Sequence, residues 1–182
     1  MVRLALRVSE LPLNGNVLLP AKESRFRRWV LQKLGLNIGS PVFVDEGFDF
    51  EFGYNVSIGR HAFIRENLYC GDWDRIEIGK GTCVGRDCSI YAGGHDLVDL
   101  RPNNHPVRIG DYCWIGAGVT ILQGVSIGDD CVIGAGSLVT RDVPAGSIAL
   151  GSPARVVGAR DASPLTWTGF GMVDRRTGEL AK

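Results

Sequence analysis

Three histidines are the candidate proton acceptors of this chain, and two of them, His95 and His105, fall within one stretch, GGHDLVDLRPNNHP (93–106). An imidazole titrates near neutral pH, so it can take a proton from a hydroxyl as that oxygen attacks. His95 follows Gly93 and Gly94, which let a loop fold tightly, and Asp96 or Asp99 stands close enough in sequence to hold the other ring nitrogen. Taken alone, a loop histidine is more often a structural or merely solvated side chain. The five cysteines, at 70, 83, 88, 113 and 131, contain no CxxC pair, which gives neither a disulfide framework nor a zinc knuckle.

The elements that must position these groups follow from a repeat. An aliphatic residue recurs every six positions at Ile109, Ile115, Ile121, Ile127, Ile133 and Val139. Two further runs read Phe52, Ile58, Ile64, Cys70 and Ile78, Val84, Ile90. A period of six is neither a helix nor a simple alternating strand. Short strands joined by Gly-assisted bends form one side of a coil, three sides close a turn, and stacked turns bury the repeated aliphatics. The repeat predicts an all-β parallel solenoid. Cys88, Cys113 and Cys131 take small inward positions, Cys70 an interior slot, and Cys83 an outward one. The six-residue spacing breaks twice. Two extra residues lie around Asp72-Trp73-Asp74-Arg75, where Asp72 and Trp73 are either candidate acceptor contacts or part of an ordinary corner bulge, and residues 93–106 lose the pattern altogether. His61 falls at an outward position and His105 at the loop's return.

The 182 residues suit one domain. Twenty basic against twenty acidic residues give no surplus for nucleic acid. With apolar runs too short for a membrane span and no signal-like start, a cytoplasmic address is expected. Pro20 to Leu34 reads as a helix with Phe26, Trp29, Val30 and Leu34 on one face and Lys22, Arg25, Arg27 and Arg28 on the other. Two readings stand for it: a cap over the open end of the solenoid, or a basic helix in weak contact with a membrane surface. The organisation expected is a cap segment over 1–37, the solenoid over 38–156, and a tail over 157–182 with a turn at Arg176-Thr177-Gly178.

The run IGDYCWIGAGVTILQGVSIGDDCVIGAGSLVTRDVPAGSIALGSPAR (109–155), together with GGHD, resembles the hexapeptide-repeat acyltransferases, in the branch of galactoside, maltose and polysaccharide O-acetyltransferases. The resemblance covers about residues 38 to 156. It implies a left-handed parallel β-helix, a homotrimer, acetyl-CoA in a cleft between subunits, and no metal. On this likeness His95 is the general base, Trp114 and Ala117 line the pantetheine channel, Ala135, Thr140 and Arg141 hold the cofactor's edge, and Arg155 meets its phosphates. The Ala117 amide is the candidate oxyanion donor. A second basic position of the family is Gly158 here, with Arg160 as a substitute. Arg65 replaces an acceptor-site asparagine of the galactoside and maltose enzymes, which leaves Asn67, Asp72 and Trp73 as acceptor candidates. With a shortened N-terminal helical segment, this argues against a galactoside or maltose acceptor and favours a sugar of the kind found in cell-surface polysaccharides or their precursors. The rival readings are a nucleotide-sugar N-acyltransferase, a non-catalytic scaffold, and a zinc enzyme like the solenoid carbonic anhydrases. The ten-residue separation of His95 and His105 speaks against the last.

Overall fold

The computed structural model describes residues 28–161, 165–167, 172–174, 177 and 179–180. Five three-sided turns stack along one axis. The first holds β1 (Asn37–Ile38), β2 (Phe43–Val44) and β3 (Asp49–Phe50), and the second β4 (Val56–Ile58), β5 (Phe63–Ile64) and β6 (Tyr69–Gly71). The third holds β7 (Ile76–Ile78), β8 (Cys83–Val84) and β9 (Ser89–Tyr91). β10 (Val107–Ile109), β11 (Trp114–Ile115) and β12 (Thr120–Ile121) make the fourth; β13 (Ser126–Ile127), β14 (Val132–Ile133) and β15 (Leu138–Val139) make the fifth. β16 (Ser147–Gly151) pairs in parallel with β14, and β17 (Ala154–Ala159) then folds back antiparallel on β16.

Face one is β1-β4-β7-β10-β13, face two runs from β2 through β14 to β16 and β17, and face three is β3-β6-β9-β12-β15. The register aligns like with like: Ile58 opposes Ile78, Ile78 opposes Ile109, and Ile109 opposes Ile127. The aliphatic columns therefore lie inside the prism, where Ile64, Ile76, Ile115, Val119 and Cys131 are fully buried. The third residue after an interior aliphatic turns each corner in left-handed backbone: His61, Asn67, Asp87, Tyr112 and Asp130 all have φ between 55° and 60°. That conformation is uncommon for residues with a side chain and is most tolerated by Asn, Asp and His.

Three expectations change. Phe52 is not an interior residue: it is 38% exposed, and the interior slot belongs to Phe50, so Ile38, Val44 and Phe50 add a turn before the first recognised hexad. Residues 28–33 are helical, but the buried residue is Leu31, with Val30 and Leu34 half-buried and Trp29 54% exposed. The helix ends as expected. Gly35 has φ 101°, its N–H donates to the Gln32 carbonyl, and the Leu36 N–H reaches back to Leu31, a Schellman arrangement that places Leu31 and Leu36 together on the end of the core. The expected helix start and Lys22, Arg25, Phe26 and Arg27 lie outside the described residues. Beyond the solenoid, β18 (Leu165–Trp167), β19 (Met172–Asp174) and β20 (Glu179–Leu180) form an antiparallel sheet where a plain tail was expected, with Thr177 in the turn between the last two.

Candidate functional site

Every break in the six-residue spacing stacks on one corner, where face three passes to face one of the next turn. Phe50 to Ile58 spans eight positions, Cys70 to Ile78 eight, and Ile90 to Ile109 nineteen. The first of these was hidden from the pattern by Phe52, which mimics a hexad residue two positions late.

The long insertion folds as a hairpin across this corner. His95 bridges Pro102, the Asp96 amide donates to the Arg101 carbonyl at 2.9 Å, and the Asn103 amide donates to Gly94 at 2.9 Å. Asp96 and Asp99 do not hold the His95 ring. Asp96 Oδ1 accepts from the Val98 and Asp99 amides and Asp99 Oδ1 from the Arg101 amide, so both carboxylates shape the tip, because a short acidic side chain satisfies nearby turn amides first. That tip exposes Leu97, Val98 and Leu100. At the stem, a Cβ on Gly93 would lie 2.7 Å from the Trp73 Cβ, so only glycine lets the loop close against the corner below. Gly94 lies against Gln123 of the turn above, whose Oε1 is buried with no hydrogen-bond partner.

Between loop and wall is a cavity of about 360 Å³ lined by Tyr69, Gly71, Trp73, Tyr91, His95, Pro102 and Asn104 among others. Gly71 is its floor, with the Tyr91 and Tyr69 rings 3.3 and 3.4 Å from where a Cβ would stand. The Tyr69 hydroxyl donates to Glu51 Oε1 at 2.8 Å; burial, then this bond, pushes its ionisation well above the ordinary phenol range, so it stays a neutral donor. Tyr69, Tyr91, Asn104 and Glu51 were not foreseen. The available signal was a tyrosine flanking each interior residue of the two strands under the loop.

The expected site residues divide between two corners. Trp73 and His95 share the cavity; Thr140 and Arg141, exposed, follow β15 on the same corner two turns above the loop. Asp72 turns the other way. It is fully buried, with Oδ1 accepting the Glu51 and Phe52 amides and Oδ2 the Gly53 amide, so it binds the neighbouring corner in place of an acceptor. Asn67, Ala117 and Ala135 occupy the corner between faces two and three, and Trp114, 59% exposed, stands on face two before it. Asn67 Nδ2 donates to Asp87 there, and Arg65 is spent on Glu66 at 2.8 Å, which holds that carboxyl near pKa 2. Arg155 opposes Leu150, which sits over Gly134, and thus stands at the top of this second corner. Arg160 does not substitute at that place: it lies at the opposite end of β17, bonded through Nη1 to the Tyr112 carbonyl on the remaining corner. The Ala117 amide donates to no group among the described residues.

His61 turns the corner after Ile58, its pKa lowered by burial and then by Arg60, while His105 lies exposed beside Gly124. Among the described residues, no three His, Cys, Asp or Glu side chains gather as a metal site. No helix of the described residues is long and apolar enough to cross a membrane. Three of the buried thiols bond to backbone: Cys88 to the Gly116 carbonyl at 3.2 Å, Cys113 to Gly128 at 3.1 Å and Cys131 to Pro144 at 3.1 Å.

Residues 106–141 match the family described as bacterial transferase hexapeptide (six repeats). Nodulation protein L of Rhizobium meliloti (strain 1021) is 47% identical over 126 residues, 66% of this chain and 69% of that protein. Among solved structures, a maltose O-acetyltransferase from Clostridium difficile 630 matches with a TM-score of 0.72 and 34% identity over 80% of each chain. A galactoside acetyltransferase in complex with coenzyme A matches with a TM-score of 0.73 and 32% identity, covering 79% of this chain and 74% of that one. The six-residue coil, the corner loop and these likenesses agree: the chain belongs to the hexapeptide-repeat acetyltransferases and is an acetyl-CoA-dependent enzyme.

Proposed function

We propose that the protein transfers the acetyl group of acetyl-CoA to a hydroxyl of a sugar or cell-surface polysaccharide precursor, with His95 as general base. The observation that carries this reading is the exposed His95 at the wall of an aromatic cavity, on the corner where all three interruptions of the coil meet. The acceptor oxygen attacks the thioester carbonyl while His95 takes its proton. The tetrahedral oxyanion is met by an amide donor, for which the unused Ala117 N–H is suited. The carbon–sulfur bond then breaks, and the imidazolium returns the proton to the leaving sulfur, so one ester and one thiol replace one alcohol and one thioester. Trp114, Ala117, Ala135 and Arg155 on the second corner form the cofactor's side, Arg155 meeting phosphate, with Thr140 and Arg141 at its edge. Trp73 contacts the acceptor.

The two corners are separated by the width of face three, about six extended residues or roughly 20 Å. Base and cofactor channel therefore meet between copies, in a homotrimer. The outer ladder of face two supports such an assembly. Phe43, Phe63, Cys83, Trp114, Val132 and Ile148 are in register and apolar, whereas face one presents Asn37, Ser57, Glu77, Arg108 and Ser126.

The test is acetyl-CoA consumption over a panel of sugars, with product masses read by spectrometry. His95→Ala keeps the fold and loses transfer by about 10²- to 10⁴-fold. Undiminished turnover in that variant refutes the base.

A further inference from the structure

The first two turns carry an aromatic row that acetyl transfer to a single sugar uses only at its end, Trp73. Phe52 and Tyr54 project from the corner between β3 and β4, and Trp73 from the corresponding corner of the next turn. They are 38%, 68% and 55% exposed. Phe52 meets Trp73 edge-on at 5.1 Å between centroids and Tyr54 at 5.6 Å. Solvent-facing aromatic rings in a continuous row are apolar surface that a fold gains nothing by presenting. This row begins at the His95 cavity, because Trp73 is also its wall, and runs along the corner toward the first turn.

The fold fixes this row with a group that is expensive to bury. Asp72 has no exposed surface, and its carboxylate collects the amides of Glu51, Phe52 and Gly53, while its carbonyl accepts from Asn55 Nδ2. A buried carboxylate is tolerated only when fully hydrogen-bonded. Here its bonds define the backbone from which Phe52 and Tyr54 project.

The chemistry that matches an aromatic row edged by carboxylates is a glycan. The C–H face of a pyranose is apolar and stacks on a ring, and its hydroxyls donate to carboxylates at the rim. Asp49, Glu51 and Asp74 lie on these strands and corners, against one cation, Arg75. That surplus of negative charge disfavours a nucleotide diphosphate or an anionic lipid on the same surface. We propose that Trp73, Phe52 and Tyr54 form a subsite for the sugar rings following the acetylated one, so that the acceptor is a neutral glycan chain and not a monosaccharide or nucleotide sugar. This rests on the acetyl-transfer reading of the His95 cavity and adds to it the length and charge of the acceptor.

The test measures kcat/KM on glucose, galactose and N-acetylglucosamine and on their oligomers up to tetrasaccharide, with a nucleotide sugar for comparison. In an accepted series kcat/KM rises roughly three- to tenfold with the second ring, mainly through KM. Tyr54→Ala and Phe52→Ala, both at exposed positions, lower the ratio of trisaccharide to monosaccharide toward one. Genuine turnover that is flat with ring number, a length dependence that survives both substitutions, or preference for the nucleotide sugar overturns the subsite and leaves the acetyltransferase reading intact. A change of mass by light scattering in Tyr54→Ala also overturns it, since the row is then a contact between copies. Turnover on no sugar at all ends both readings.

Discussion

If His95 is the base proposed above, it acts only with its backbone pressed to the corner below, and Gly93 is the residue that permits this. Gly93→Ala forces the stem away from Trp73, and steady-state kinetics are expected to show a fall in kcat/KM of at least about tenfold, because a displacement of an ångström at a base is costly. Asp72 acts at the same scale through structure alone. Asp72→Ala strands three backbone amides, and urea melts are expected to show a loss of about 3 kcal/mol. Its burial was not legible from the chain: an acidic residue in a two-residue excess has the same letters whether it faces solvent or a ring of amides. The position of His95 in a loop outside the coil was legible because its flanking glycines and the lost repeat both mark it.

At the scale of the coil, stability comes from columns of aliphatics and from corners where backbones nearly touch. Ile115→Ala, at a site with no exposed surface, is expected to cost about 2–5 kcal/mol in denaturant unfolding. The corner pair Arg65–Glu66 sets a pH dependence. Glu66 ionises near 2 in the folded chain, chiefly through its hydrogen bond from Arg65, against about 4.3 unfolded, so its contribution is complete above the unfolded value and is lost as pH falls toward 2. Both side chains are partly exposed, which keeps that contribution under about 1 kcal/mol. Glu66→Gln should therefore melt slightly earlier than the parent at pH 7, with the gap closing on acidification. The helix shows where element-level reading slipped. Trp29 and Leu31 are both apolar, but the Schellman turn at Gly35 rotates Leu31 onto the core beside Leu36 and leaves Trp29 outside.

For the whole molecule, the proposed arrangement, with base and cofactor grip on two corners that meet between copies, implies that a copy lacking the one and a copy lacking the other fail differently. Mixed and reassembled, His95→Ala and Arg155→Glu chains are expected to recover part of the activity that neither has alone, because some clefts receive an intact half from each. Absence of recovery in verified mixed assemblies would place base and cofactor on one chain.

The repeat alone determined the solenoid, because a six-residue period of buried aliphatics leaves one way to exclude them from water. It also determined that residues 93–106 leave the coil and carry His95. What needed the folded chain was how the three interruptions, 20 or more residues apart in sequence, come to share one corner, and which way each side chain there turns. Stacking adds positions from successive turns into a single surface, and no spacing along the chain states which neighbours that surface brings together.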